Sequence, residues 1–160
     1  MKRALVIGCP GSGKSTFARR LRDATGLPLY YLDRLYWRED QTHVEREEFD
    51  ARLEEILSRD QWIIDGNYAR TLPMRLTRCD AVFFLDYPAE VCLDGIIARR
   101  GARREDMPWV ETGEDAEFIE FVRRFSADAR PAILERLRGA KGVDIYHFSQ
   151  RRDAEKYLNP

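Results

Sequence analysis

The chain has 160 residues, 27 Lys and Arg against 28 Asp and Glu, a formal net charge of -1 and 44% hydrophobic residues. A length of this order carries one hydrophobic core and not two, and the balanced charge excludes a surface-wide drive toward nucleic acid or an anionic membrane. Cys9, Cys79 and Cys92 are odd in number and have neither C-x-x-C nor Cys/His ligand spacing, so the pattern supports neither a disulfide framework nor a zinc site.

The apolar run over residues 3–7 predicts a buried strand. It leads into Gly8-Cys9-Pro10-Gly11-Ser12-Gly13-Lys14-Ser15, a complete G-x-x-x-x-G-K-[ST] phosphate loop, and Thr16, Phe17 and Leu21 continue into an amphipathic helix. In that context the loop amides and the helix N-terminus converge on an anion, the obvious one being nucleotide phosphate. Lys14 supplies a mobile charge for the β- and γ-phosphates, and the Ser15 hydroxyl is a ligand for Mg²⁺. Cys9 is either a low-pKa thiol near Lys14 or a small space-filler.

A second strand is predicted over 28–32, followed by an interruption at 33–42 that carries Asp33, Tyr36 and Trp37. Asp33 can accept a hydroxyl proton or a hydrogen bond and the aromatic faces can pack on a ring, which makes this a candidate acceptor region; the alternative is a turn Asp beside core aromatics. Phe49, Leu53, Ile56 and Leu57 have helical spacing. The third strand, 61–64, leads into Asp65-Gly66, a carboxylate at a strand tip suited to Mg²⁺ opposite Ser15. Asp86, after the fourth strand at 81–85, competes for that role. Arg70 either clamps an acceptor phosphate or carboxylate, caps a helix or sits in water.

Residues 99–113 carry Arg99, Arg100, Arg103 and Arg104 and form a candidate lid. Phosphoryl transfer needs planar cations brought in as water is excluded; Arg103 and Arg104 suit that role, while Arg99 and Arg100 fit equally a solvated helix end. Phe118, Phe121, Val122 and Phe125 recur at helical spacing, and a fifth strand is predicted over 143–148, followed by Ser149-Gln150. Arg123, Arg124 and Arg130 read as a solvated face, and His43 and His147 carry no hypothesis. The alternation of strand and helix predicts an α/β fold with a parallel sheet and a site at the carboxyl ends of the strands, within a single domain over 1–160. The chain runs from Met1-Lys2-Arg3 straight into its first strand, which leads to the expectation of a cytoplasmic protein.

With the loop, Asp65-Gly66 and the arginine-rich segment placed, the sequence resembles the nucleoside monophosphate kinase branch of P-loop proteins, and more closely the adenylate-kinase-related group labelled DNA topology modulation proteins. The motifs that carry the resemblance are G-C-P-G-S-G-K-S-T, L-Y-Y-L-D-x-L-Y-W, W-I-I-D-G-N-Y, D-A-V-F-F-L-D and R-R-G-A-R-R-E-D-M. It implies a three-layer α/β/α P-loop NTPase fold with a five-stranded sheet of order 2-3-1-4-5, ATP and Mg²⁺, a short lid, and an adenine-contacting turn from Ser149 to Arg152. Together with the residue chemistry above, the expectation is an ATP-dependent phosphotransferase with Lys14, Arg103, Arg104 and Asp33 in catalysis, and Asp33, Trp37 and Arg70 facing the acceptor. Adenylate kinases carry D-G-F-P-R where this chain has D-G-N-Y-A-R, and Asp33-x-x-Tyr36 is similar to kinases that phosphorylate a hydroxyl. The acceptor is therefore a nucleotide or another small molecule, with a hydroxyl kinase, or an ATP-binding regulator contacting DNA or protein, as alternatives.

Overall fold

The computed structural model describes residues 1–111 and 115–160. β1 (Arg3–Gly8) lies at the centre of a five-stranded sheet, between β3 (Trp62–Asp65) and β4 (Ala81–Leu85). β2 (Leu29–Tyr31) and β5 (Asp144–Phe148) form the edges, every pairing is parallel, and the order is the expected 2-3-1-4-5. Helices cover both faces, so β3 and β4 are buried along their whole length and read as unbroken apolar runs rather than alternating ones. At the edge, β5 exposes Asp144, Ile145 and His147.

The eight helices are α1 (Lys14–Thr25), α2 (Leu32–Tyr36), α3 (Arg46–Leu57), α4 (Leu72–Leu76), α5 (Ala89–Arg99), α6 (Ala116–Asp128), α7 (Arg130–Gly139) and α8 (Arg151–Leu158), counted among the described residues. α1 buries Phe17, Ala18 and Leu21 against the sheet and ends at Gly26, whose N–H donates to the Arg22 carbonyl. α6 starts at Asp115, whose side chain accepts from the Phe118 N–H at 3.1 Å, the expected N-cap chemistry.

The segment at 33–42 differs from the expected interruption. Chain direction turns helical at Leu32, so Asp33 lies in the first turn of α2 rather than in a loop. Trp37 and His43 then form an antiparallel bridge that closes the remainder. Five residues are too few for helical periodicity to be visible in sequence. The lid leaves α5 at Arg99 and runs without regular structure through Glu111; its expected end, Thr112 and Gly113, lies outside the described residues. Among the described residues, no helix is long and apolar enough to cross a membrane.

Candidate active site

The register sets the site. Val6 pairs with Asp65 on one side of β1 and Gly8 with Leu85 on the other, so the phosphate loop rises between the tips of β3 and β4. Gly11 has φ +85, and a Cβ there would collide with the Cys92 carbonyl of α5, so the loop is pressed onto that helix. The Ser12 N–H donates to the Cys9 carbonyl at 3.0 Å, while the Ser12 hydroxyl is buried with no hydrogen-bond partner among the described residues.

Ser15, in the first turn of α1, donates its hydroxyl to Asp65 Oδ2 at 2.5 Å. Asp65 is 4% exposed, and its Oδ1 has no hydrogen-bond partner among the described residues. Burial pushes its carboxyl up to about 6, against the opposing pull of Lys14 and the Ser15 hydroxyl. A buried, half-satisfied carboxylate touching the loop hydroxyl is a donor set of the hard oxygen type that Mg²⁺ takes. Asp86 is engaged elsewhere: it accepts from Arg130 Nε at 2.8 and 2.9 Å and lies 2.7 Å from His147 Nε2. The tertiary pairing therefore separates two strand-tip carboxylates that look alike in sequence.

Beyond Asp65 the chain turns at Gly66, with φ +141 and Leu32 packed where a Cβ would be. Asn67 then reaches back to Gly8: its Oδ1 accepts from the Gly8 N–H at 3.0 Å and its Nδ2 donates to the Gly8 carbonyl at 2.7 Å. Tyr68 donates its hydroxyl to Asp33 Oδ1 at 2.6 Å. Under this loop lies Arg75 on α4, 0% exposed, donating to the Gly66, Asn67 and Tyr68 carbonyls and to the Thr71 hydroxyl. Burial pulls its guanidinium down to about 10. Sequence reading missed both Asn67 and Arg75. The available signal was that Arg75 falls with Leu72 and Leu76 at i, i+3 and i+4 spacing, on the face that should be apolar.

A cavity of about 590 Å³ opens over the loop, a size suited to small ligands, and is lined by Lys14, Asp33, Trp37, Asn67 and Tyr68 on one side and by Arg99, Arg100, Arg104 and Trp109 on the other. Arg104 lies 3.6 Å from Glu111 and 3.8 Å from Asp106, and Arg99 lies 3.8 Å from Glu111. Arg103 does not line this cavity; together with Arg104 it borders an adjoining depression beside Arg34 and Glu39. The lid is fastened to the body of the protein. Glu105 accepts from Arg22 at 2.9 Å and from the Tyr31 hydroxyl, Arg34 donates to the Glu105 and Met107 carbonyls, and Trp109 meets Trp37 edge to face at 5.2 Å.

Other expected site residues lie apart. Arg70 is outside the cavity lining and donates twice to Asp50 of α3, at 2.7 and 3.1 Å. Ser149 and Arg152 are exposed, and Thr16 is exposed with its hydroxyl 3.2 Å from Arg19. Arg151, not singled out in sequence, is the basic residue of that turn that comes up to Gly13, while its guanidinium lies 5.7 Å from the centre of the Tyr87 ring. Arg123 and Arg124 form exposed pairs with Glu120 and Asp128. The Cys9 thiol is raised well above its usual range by hydrogen bonding with Cys92 and by burial, so it behaves as a space-filler.

No protein-family model matches the chain. It is 31% identical over 104 residues to an adenylate kinase of Thermotoga maritima, covering 61% of this chain and 46% of that one. To an adenylate kinase of Thermosipho melanesiensis it is 28% identical over 118 residues, covering 69% and 54%. The chain thus spans about half the length of these relatives. Among solved structures it is similar to the shikimate kinase of Acinetobacter baumannii in complex with shikimate, at a TM-score of 0.65 and 18% identity over 99% of this chain and 89% of that one. The shikimate kinase of Aquifex aeolicus gives a TM-score of 0.55 at 19% identity, covering 98% and 90%. The chain is thus similar in sequence to adenylate kinases over part of its length, and it shares with shikimate kinases the fold of a five-stranded parallel sheet covered by helices on both faces.

Proposed function

We propose that the protein is an ATP-dependent phosphotransferase of the small-molecule kinase type, and that its acceptor is a hydroxyl compound. The observation that carries the kinase reading is the Ser15–Asp65 contact with Asp65 Oδ1 left over, beside Lys14 at the floor of the cavity. The loop from Gly8 to Thr16 surrounds the donor phosphates and binds them through the amides of Gly13, Lys14, Ser15 and Thr16, and Lys14 follows the transferring group. Ser15 and Asp65 would hold Mg²⁺, which would supply charge neutralisation for the donor phosphates. Arg104 and Arg99 leave their acidic lid partners for the charge that develops on the equatorial oxygens. The turn carrying Ser149, Arg151 and Arg152 serves the adenine end.

Asp33 favours a hydroxyl over a phosphate acceptor. With one oxygen held by Tyr68, it is oriented to accept a proton from an alcohol, whereas an acceptor phosphate calls for a cation. Arg70, the candidate clamp for such a phosphate, is engaged with Asp50. Trp37 and Trp109 provide apolar faces for a ring. The shikimate kinases, whose fold this chain shares, act on a hydroxylated ring acid by name. The test is acceptor-dependent ADP release from MgATP across nucleosides, small hydroxy acids and nucleoside monophosphates. Release stimulated by a nucleoside or hydroxy acid supports the reading. Stimulation by nucleoside monophosphates alone sinks the hydroxyl acceptor, and absence of both nucleotide binding and turnover sinks the kinase.

A further inference from the structure

We infer that Asn67 is a positioning residue that completes the sheet beneath the phosphate loop, holding Gly8 so that the loop amides face the nucleotide phosphates. The inference rests on the nucleotide-binding part of the reading above. Parallel pairing between β1 and β3 ends at Val6, whose carbonyl accepts from the Gly66 N–H at 3.1 Å. Two residues on, Gly8 is the next position of β1 whose N–H and carbonyl point to the β3 side. A regular ladder would meet them with the backbone beyond Asp65. That backbone has turned away at Gly66, and the Gly66 carbonyl accepts from Arg75 instead.

The Asn67 side chain stands in for the missing strand. Its amide has one acceptor and one donor on a planar group, and the two bonds to Gly8 use both in the single orientation that satisfies the fixed polarity of a backbone N–H and carbonyl. No other side-chain type of that length offers the same pair at neutral pH: Asp accepts only, Ser and Thr have one atom, and Leu has neither. Asn67 is itself fixed from below, because its own carbonyl accepts from the buried Arg75. Gly8 is also the first residue of the loop and pairs with Leu85 on its other side, so both edges of the strand are tied where the loop begins. Preorganised amides bind a phosphate without first ordering, and loosening one end of the loop restores that entropic cost.

The experiment compares wild type with Asn67→Ala, by calorimetric titration with ADP and separately with inorganic tripolyphosphate, alongside amide hydrogen exchange at Gly8 in the ligand-free protein. Asn67→Ala is expected to weaken both ligands by about tenfold and by the same factor, since the loss lies in phosphate contacts alone, and to speed Gly8 exchange by at least about tenfold. Unfolding midpoints give the structural control, and Asn67→Gln, which keeps the amide on a longer stem, replaces Asn67→Ala if that variant does not fold. Affinities within about twofold of wild type, or Gly8 exchange unchanged, overturn the inference. So does a loss confined to ADP with tripolyphosphate unaffected. A wild-type protein that binds neither probe overturns the nucleotide reading and this inference together, whereas binding by wild type and variant alike overturns the inference alone.

Discussion

Ser15 and Asp65 lie 50 residues apart in sequence and 2.5 Å apart in space, hydroxyl to Oδ2, while Asp65 Oδ1 is buried with no hydrogen-bond partner among the described residues. A buried carboxylate in this state is destabilising until something positive reaches it. Asp65→Asn should therefore raise the unfolding midpoint of the metal-free protein at pH 7.5 while reducing Mg²⁺-dependent ATP turnover by at least about a hundredfold. Turnover near wild type in the folded variant would move the metal elsewhere.

The same residue sets a pH dependence. Folded Asp65 keeps its proton up to about pH 6, whereas an unperturbed aspartate gives its proton up near 3.8. Between those values the native state binds the extra proton, so stability falls as pH rises through the window, by up to about 3 kcal/mol, and the loss is complete above it. Denaturant unfolding in chelator from pH 4 to 7 should show this slope in wild type relative to Asp65→Asn. Equal slopes for the two proteins would remove Asp65 as its source.

Asp86 should behave differently from Asp65. Its carboxylate is held by Arg130 and His147, away from Ser15, so Asp86→Asn removes a charged pairing between β4, α7 and β5. A stability loss of about 1–2 kcal/mol is expected, with ATP turnover within severalfold of wild type. A larger effect on turnover than that of Asp65→Asn would reverse the assignment.

Arg103 and Arg104 are neighbours in sequence, but only Arg104 lines the cavity over the phosphate loop. Both border the depression beside Arg34 and Glu39. Arg104→Ala should lower kcat by at least about a hundredfold with a much smaller change in ATP affinity, because its contact forms with the transferring group. Arg103→Ala should stay within about threefold of wild type. Equal losses in the two variants would argue against this division of the lid.

Arg75→Lys tests the buried support of the site. A lysine has the charge but not the planar fork that reaches the Gly66, Asn67 and Tyr68 carbonyls together with the Thr71 hydroxyl. A destabilisation on the order of 3 kcal/mol is expected by denaturant titration. A change below about 0.5 kcal/mol would mean that solvent reaches the position.

The phosphate loop, the five strands and the arginine-rich lid are legible in the sequence because each is a local signal: a spacing of glycines before Lys14, runs of β-branched and aromatic residues, and guanidinium groups crowded between 99 and 104. The sequence by itself thus determined the parallel sheet and the place of the phosphate loop after its first strand. Which of two strand-tip carboxylates meets Ser15 was decided by register, since Asp65 and Asp86 have the same local setting and differ in what packs beside them. Likewise Arg70, Arg103 and Arg151 carry no mark in the chain of whether they face the cavity; a long side chain at a loop or helix end takes its direction from partners such as Asp50 that lie on other elements. Asn67 and Arg75 were silent for the same reason. Their partners are backbone carbonyls and amides, which every residue has, and only the turn at Gly66 leaves those groups needing a side chain to meet them.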